Sequence, residues 1–193
     1  MFGWYTHNYR LLQVCPTFVA MAYNTALGFA ASGLAIVLLK FRRNPVYSKL
    51  IWFLILVVLA IGLLTIAEYL IGRSLHVDQI FMREYIRAGI VIPTRMALVT
   101  AVCFVLLGVA LADFSAPNHR YKISLLWFLG SCVMGLGEIA LSGYFTGIMS
   151  AFYEWGKLTR MAVHTSVGFI LCGLAIYFCA WNECKQQQYR PFR

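Results

Sequence analysis

The stretch PTRMALVTAVCFVLLGVAL, residues 93–111, decides the fold of this chain because it recurs twice in nearly the same form. The other copies are LTRMAVHTSVGFILCGLAI (158–176) and VAMAYNTALGFAASGLAI (19–36), and each is close to the roughly 20 apolar residues that cross a bilayer. A gap-free alignment gives six threefold identities. Apolar composition alone would rarely produce so many, so the sequence predicts an internal repeat of one helix. The identities are Met21/Met96/Met161, Ala22/Ala97/Ala162, Thr25/Thr100/Thr165, Phe29/Phe104/Phe169, Gly33/Gly108/Gly173 and Ala35/Ala110/Ala175.

Composition places the copies in a membrane protein. The chain is 61% hydrophobic and 12% charged, whereas soluble domains usually carry about 25% charged residues. Five segments are long and apolar enough to span the membrane. Three of them are the copies of the repeat, and one other segment stands between each pair of successive copies. The predicted fold is therefore all-α and integral to the membrane, with helices in the order A-B-A′-B′-A″ and with three parallel copies of helix A. The predicted spans are 18–39, 50–72, 96–114, 123–148 and 159–181.

The charged residues divide the chain into three parts and orient it. Residues 1–17 are too polar to span, and their aromatic side chains suit an interfacial segment. Residues 18–181 form the transmembrane domain, and residues 182–193 form a tail. The densest short basic loop, LKFRRNPVYSK (39–49), favours the cytoplasm, which puts the N-terminus outside and the tail inside. The net charge of +9 then faces anionic headgroups, and nucleic acid is not expected as a partner.

The repeated threonines and glycines form one face of each A helix. Met, Thr, Phe and Gly recur every four residues, and small residues four apart lie beside them. Small residues let helix backbones approach closely, which matters where lipid supplies no hydrophobic force between helices. We therefore predict that the three A helices pack through six residues, Thr25, Thr100, Thr165, Gly33, Gly108 and Gly173.

The stretch LLTIAEYLIGRSLHVDQIF (63–81), followed by the 93–111 helix, resembles a multi-helix membrane module. Such modules stand at the N-terminus of bacterial sensor histidine kinases and diguanylate cyclases. The resemblance implies a sensing membrane body in a bacterial cytoplasmic (inner) membrane. In those proteins the last helix leads into a signalling domain, whereas here only AWNECKQQQYRPFR follows it, so signalling is expected to pass through another protein. The residues that carry the resemblance are Glu68, Tyr69, Leu70, Gly72 and Asp78, then Arg95, Met96, Thr100, Ala101, Phe104, Leu106, Gly108 and Ala110.

Ionisable and amide side chains inside the spans are costly and are therefore candidates for function. They fall in the predicted outer half of the bilayer, and we predict that they line a cavity for a small polar or anionic ligand. The structural alternative is that the arginines reach outer headgroups while the glutamates pair with them or with backbone. The candidate residues are His164, Arg95, Arg160, Glu68, Glu138 and Asn24.

Redox chemistry is the competing interpretation of the outer side. His7, His76, His164 and Met161 are of the types that ligate haem or copper. The histidines show no HxxxH or CxxCH spacing, and the six cysteines form no CxxC pair, so no metal or cofactor is predicted with the favoured function. No nucleophile elbow or phosphate loop appears, and an enzyme is not expected.

These observations favour a non-catalytic membrane subunit or detached sensor module. It would dock on a larger membrane protein complex or a separate signalling protein within the lipid bilayer. The alternative is a small cytochrome-like redox protein that holds haem or copper.

Overall fold

The computed structural model describes residues 18–72, 96–117, 119–146 and 160–188, with side chains to residue 185. The described residues form helices and no strand. Five helices are long and apolar enough to cross a membrane. The predicted interfacial segment 1–17 lies outside the described residues. The helices are α1 (Tyr23–Leu38, continued by a 3-10 turn Leu39–Phe41), α2 (Pro45–Ile71), α3 (Leu98–Ser115), α4 (Lys122–Thr146) and α5 (Val163–Gln188).

The core helices begin a few residues later than the predicted spans, and α5 ends later than predicted. Helices α1 and α3 begin after Ala22 and Ala97, which are equivalent in the repeat and whose ψ angles are 149° and 140°. The repeated methionines therefore precede their helices. At the other end α5 runs on to Gln188 and includes most of the predicted tail. A hydropathy window ends where polar residues begin, whereas a helix continues as long as its backbone hydrogen bonds do.

Helix α2 has a start and an end that its sequence encodes. The Asn44 side chain accepts a hydrogen bond from the Val46 N–H at 2.9 Å, and Pro45 occupies the first helical position. At the other end Gly72 has φ 69°, in the left-handed region, and its N–H donates to the Glu68 carbonyl. With 27 residues, α2 is about 40 Å long at 1.5 Å per residue, more than a 30 Å hydrocarbon layer requires.

Helices α1, α3 and α5 form the core, and each contacts the other two. Phe29, Phe104 and Phe169 meet at its centre, with ring centroids 4.8–5.2 Å apart in edge-on or tilted pairs. One turn earlier in each helix, the repeated threonines are all 2% exposed. Equivalent phenylalanines of the three helices thus contact one another, and the equivalent threonines are equally buried.

The outer helices approach the core through glycine. Helix α2 packs against α1 and α3, and α4 packs against α3 and α5. A Cβ added at Gly62 of α2 would lie 2.8 Å from the Ala101 carbonyl oxygen of α3. One added at Gly137 of α4 would lie 2.8 Å from the Ser166 carbonyl oxygen of α5. Only the hydrogen atom of a glycine fits between these backbones. Small residues at membrane helix contacts allow such a close approach.

The repeated glycines serve these same contacts rather than contacts within the core. A Cβ at Gly108 would meet Leu59 of α2 at 2.6 Å, and one at Gly173 would meet Met134 of α4 at 2.8 Å. Gly33 differs, because it is exposed and a Cβ there would meet nothing within 4 Å. The core helices contact one another through the phenylalanines instead, since the ring of Phe104 covers Gly28 and the ring of Phe29 covers Gly168.

The outer surface of the bundle is apolar. Large hydrophobic side chains that are more than half exposed occur on the outside of the bundle, and such a surface suits contact with hydrocarbon or with another protein. Examples are Val37, Phe53, Leu70, Phe145 and Phe178.

Candidate functional site

The described residues among those predicted to bind a ligand lie toward the end of the bundle where α2 and α4 end. There the Tyr69 hydroxyl donates to the Met96 carbonyl at 3.0 Å, and the Tyr144 hydroxyl donates to the Met161 carbonyl at 2.6 Å. These two bonds join the last turns of the outer helices to the starts of α3 and α5. We call this end the methionine end, and it contains the methionines that precede the core helices.

The predicted site residues differ in burial at the methionine end. Asn24 and Glu68 are buried, at 4% and 1% exposure, and His164 is half-buried. Arg160 and Glu138 are exposed. Arg95 lies outside the described residues. The buried amide and carboxyl groups thus belong to the first turn of α1 and the last turn of α2, and the exposed groups belong to the α4–α5 side.

The ligands of the alternative redox interpretation are only partly described. His7 and His76 lie outside the described residues, and Met161 is 1% exposed. Within residues 18–72, 96–117, 119–146 and 160–188, no three His, Cys, Asp or Glu side chains lie close enough to hold one metal ion.

The opposite end of the bundle, where the core helices end, carries a cluster of charged residues. We call it the basic end. Arg42, just after α1, forms an ion pair with Glu183 near the end of α5, across 141 residues of sequence. The Arg42 guanidinium also lies 4.5 Å from the centre of the Phe114 ring of α3, a cation–π distance. Arg42 is therefore held by all three core helices.

Lys122, at the start of α4, belongs to the same cluster. It is 2% exposed, and its ammonium donates to the carbonyls of Phe114 at 3.0 Å and Ala116 at 2.8 Å. These carbonyls lie at the C-terminal end of α3, where the helix dipole favours a cation. Lys122 also interacts electrostatically with Glu183, Arg42 and Asp113. The basic end thus contains a buried lysine that is hydrogen-bonded to the end of α3.

A cleft of about 570 Å³ opens in this cluster between α1 and α5. Leu39, Phe114 and Cys179 line it, and they hold equivalent positions in the three core helices. The cleft therefore lies where the core axis reaches the basic end. Lys40, Arg42 and Arg43 contribute three positive charges, and Glu183 contributes one negative charge.

Sequence reasoning missed this cleft, because it treated the 40–49 segment only as a signal for orientation. The six identities of the A helices were a usable signal, since extending the alignment to Leu39, Phe114 and Cys179 brings the three helix ends together. The ion pair had no such signal, because nothing in the sequence links Arg42 to Glu183.

Sequence reasoning also missed that the outer helices repeat. Residues 50–72 and 125–147 align without gaps and share eight identities. The identical pairs include the glycines and tyrosines that make matching contacts in the structure. They are Leu50/Leu125, Trp52/Trp127, Phe53/Phe128, Leu54/Leu129, Val58/Val133, Gly62/Gly137, Tyr69/Tyr144 and Gly72/Gly147.

Comparison with known proteins adds no family to these observations. No protein-family model, curated protein or solved structure matches the chain.

Proposed function

We propose that this chain is a non-catalytic multi-pass membrane subunit, or detached sensor module, that binds a transmembrane helix of a larger partner on the exposed face of α1. The observation that carries the proposal is that α1 has the same docking positions as α3 and α5 but no helix on them among the described residues.

The docking positions follow from the matched contacts of the outer helices. On α3 the helix α2 contacts Ala101 and Val105, and on α5 the helix α4 contacts Ser166 and Ile170. In each case the next position along the stripe is a glycine that contacts the same outer helix. The two pairs, α2 with α3 and α4 with α5, are therefore two copies of one helix–helix contact.

The counterparts of these positions on α1 are Ala26, Ala30 and Gly33. Ala26 is half-buried, whereas Ala30 and Gly33 are exposed. We call these three residues the α1 docking face. All three are small, and a backbone can approach such a face as closely as α2 approaches α3. The three core helices form three grooves between them. Helix α2 occupies the groove between α1 and α3, and α4 occupies the groove between α3 and α5. The docking face lies toward the remaining groove, between α5 and α1.

The partner helix has a chemistry that the two internal examples define. Gly62 and Gly137 give the close approach, and each is followed seven residues later by a tyrosine, Tyr69 or Tyr144. The tyrosine bonds the carbonyl that precedes the core helix, and Met21 is the equivalent residue before α1. We therefore expect a partner helix that runs antiparallel to α1 with a small residue and, two turns later, a hydrogen-bond donor.

A second copy of this chain is the weaker candidate for the occupant. Its two helices of the required type, α2 and α4, are already packed within their own bundle. A helix from a different chain avoids the cost of releasing them.

Membrane orientation and compartment belong to the same proposal. The basic end carries the dense Lys40–Lys49 segment, and positively charged loops favour the cytoplasm. The methionine end then faces outward, and a bacterial cytoplasmic membrane is the compartment that fits the resemblance of the 63–111 region. The polar residues of the methionine end would bind a small ligand in the outer half of the bilayer.

Photocrosslinking in native membranes tests the docking proposal. A benzoylphenylalanine in place of Leu34, an exposed residue that flanks the docking face without belonging to it, should form an adduct with a transmembrane helix of another protein, identified by mass spectrometry. Gly33→Ile should abolish that adduct by filling the docking face. Gly135→Ile is the matched control, because a Cβ at Gly135 of α4 also meets nothing within 4 Å. Adducts with lipid alone, or an adduct that survives Gly33→Ile, would contradict the proposal, and an adduct with a second copy would replace the partner by a homodimer.

A further inference from the structure

We infer that the cleft at the basic end binds the phosphate of an anionic phospholipid headgroup. This inference does not rest on the α1 docking face. That face spans residues 26–33, whereas the cleft begins at Ile36 and involves the ends of α1 and α5. A helix on the docking face and a headgroup in the cleft can be present together.

The cleft has the charge that a phosphate requires. Three cationic side chains and one carboxylate line it, and the carboxylate of Glu183 is engaged with Arg42. Buried Lys122 lies within electrostatic range of the same pair. Basic clefts between transmembrane helices on the cytoplasmic side are the sites that recognise anionic lipid headgroups.

Arg42 is positioned in advance of any ligand. Its guanidinium is held between the Glu183 carboxylate and the Phe114 ring. A guanidinium carries five N–H donors in a planar fork, and its bond to one oxygen of Glu183 uses only one of them. The fork geometry matches phosphate oxygens, and an arginine fixed in this way loses little rotamer entropy when it binds.

Lys40 and Arg43 supply the exposed part of the site. Both line the cleft and both are exposed, so their charges remain accessible from the membrane surface. Hydrophobic residues flank them on α1, with Val37 66% exposed and Phe41 49% exposed. A lipid headgroup in the cleft would place its acyl chains against this apolar surface. A soluble phosphate compound would gain nothing from that surface, and this difference favours the lipid as the source of the phosphate.

The experiment compares lipids on the purified full chain. Thermal unfolding is measured in mixed micelles with phosphatidylglycerol, with zwitterionic phosphatidylcholine, or with inorganic phosphate and no added lipid. Native mass spectrometry counts the lipids that remain bound. We expect phosphatidylglycerol to stabilise the protein and to stay bound, and we expect neither effect from the other two.

Two single-charge variants, Lys40→Gln and Arg43→Gln, should each weaken phosphatidylglycerol binding about fivefold. This corresponds to the roughly 1 kcal/mol that a basic residue contributes near an anionic membrane surface. Lys49→Gln and Lys185→Gln are the matched controls, since both residues are exposed and neither lines the cleft. Arg42 is left intact because its ion pair also stabilises the fold.

Each other outcome overturns the inference. Equal stabilisation by phosphatidylcholine would show that the cleft does not select charge. Equal losses in the cleft and control variants would show that only the net charge of the protein matters. Stabilisation by inorganic phosphate without lipid would assign the cleft to a soluble phosphate compound and exclude the lipid headgroup.

Discussion

Replacing glycine by alanine separates two kinds of glycine in this bundle. At Gly62 an alanine Cβ would lie 2.8 Å from the Ala101 carbonyl oxygen, whereas at Gly33 it would meet nothing within 4 Å. Carbon–oxygen contacts between helices relax to about 3.3 Å, so Gly62→Ala must separate α2 from α3 by roughly 0.5 Å. The obstructing atom belongs to backbone and cannot rotate away.

The two variants share every effect except packing. Alanine gains about 1 kcal/mol of helix propensity over glycine at either site. Overpacking adds a cost of about 1–3 kcal/mol at Gly62 only. The free energy of unfolding of Gly62→Ala should therefore lie about 1–3 kcal/mol below that of Gly33→Ala. Gly137→Ala should match Gly62→Ala, because its Cβ would also lie 2.8 Å from a carbonyl oxygen.

Unfolding by sodium dodecyl sulfate in mixed micelles, followed by circular dichroism, measures the difference. Identical unfolding curves for Gly62→Ala and Gly33→Ala would refute the close approach of α2 and α3. A loss in Gly62→Ala without one in Gly137→Ala would refute the equivalence of the two helix pairs.

Two further predictions concern the methionine end. Tyr144→Phe removes the hydroxyl that donates to the Met161 carbonyl at 2.6 Å, and it should cost about 0.6–1.7 kcal/mol in the same unfolding assay, with exposed Tyr121→Phe unchanged. His164→Asn should leave the free energy of unfolding within about 1 kcal/mol of that of the unsubstituted protein. It should weaken the binding of any small molecule that native mass spectrometry finds on the protein. A loss as large as that of Gly173→Leu would instead make the histidine a packing residue, and a Soret absorption band abolished by His164→Ala would favour the cytochrome-like alternative.

Hydropathy and periodicity were sufficient to predict the helical class and the five long apolar helices that the described residues form. A bilayer demands about 20 apolar residues per helix, and that demand is written locally in the sequence. The described residues include five helices of the required length and apolarity, at nearly the predicted places. The threefold identities also picked out residues with matching environments, as the three buried threonines and the three phenylalanines in mutual contact show.

The use of each repeated residue could not be read from the sequence. Gly33, Gly108 and Gly173 are identical in the alignment, yet two of them receive an outer helix and one is exposed. That difference depends on how many outer helices the bundle contains and on where each one packs, which are properties of the whole assembly of helices. The identical glycines predicted that each core helix can accept an outer helix, but not which of the three core helices does so.

The sequence by itself predicted the five long apolar helices of the described residues, because apolar length and small-residue spacing are properties of single helices. Only the tertiary structure decided that Arg42 meets Glu183 across 141 residues and that three helix ends enclose a positively charged cleft. Ion pairs and clefts depend on which helix ends converge, and that convergence is set by packing between helices. The physical reason is that the bilayer requires each segment to form a helix by itself, whereas packing between helices determines which helices become neighbours.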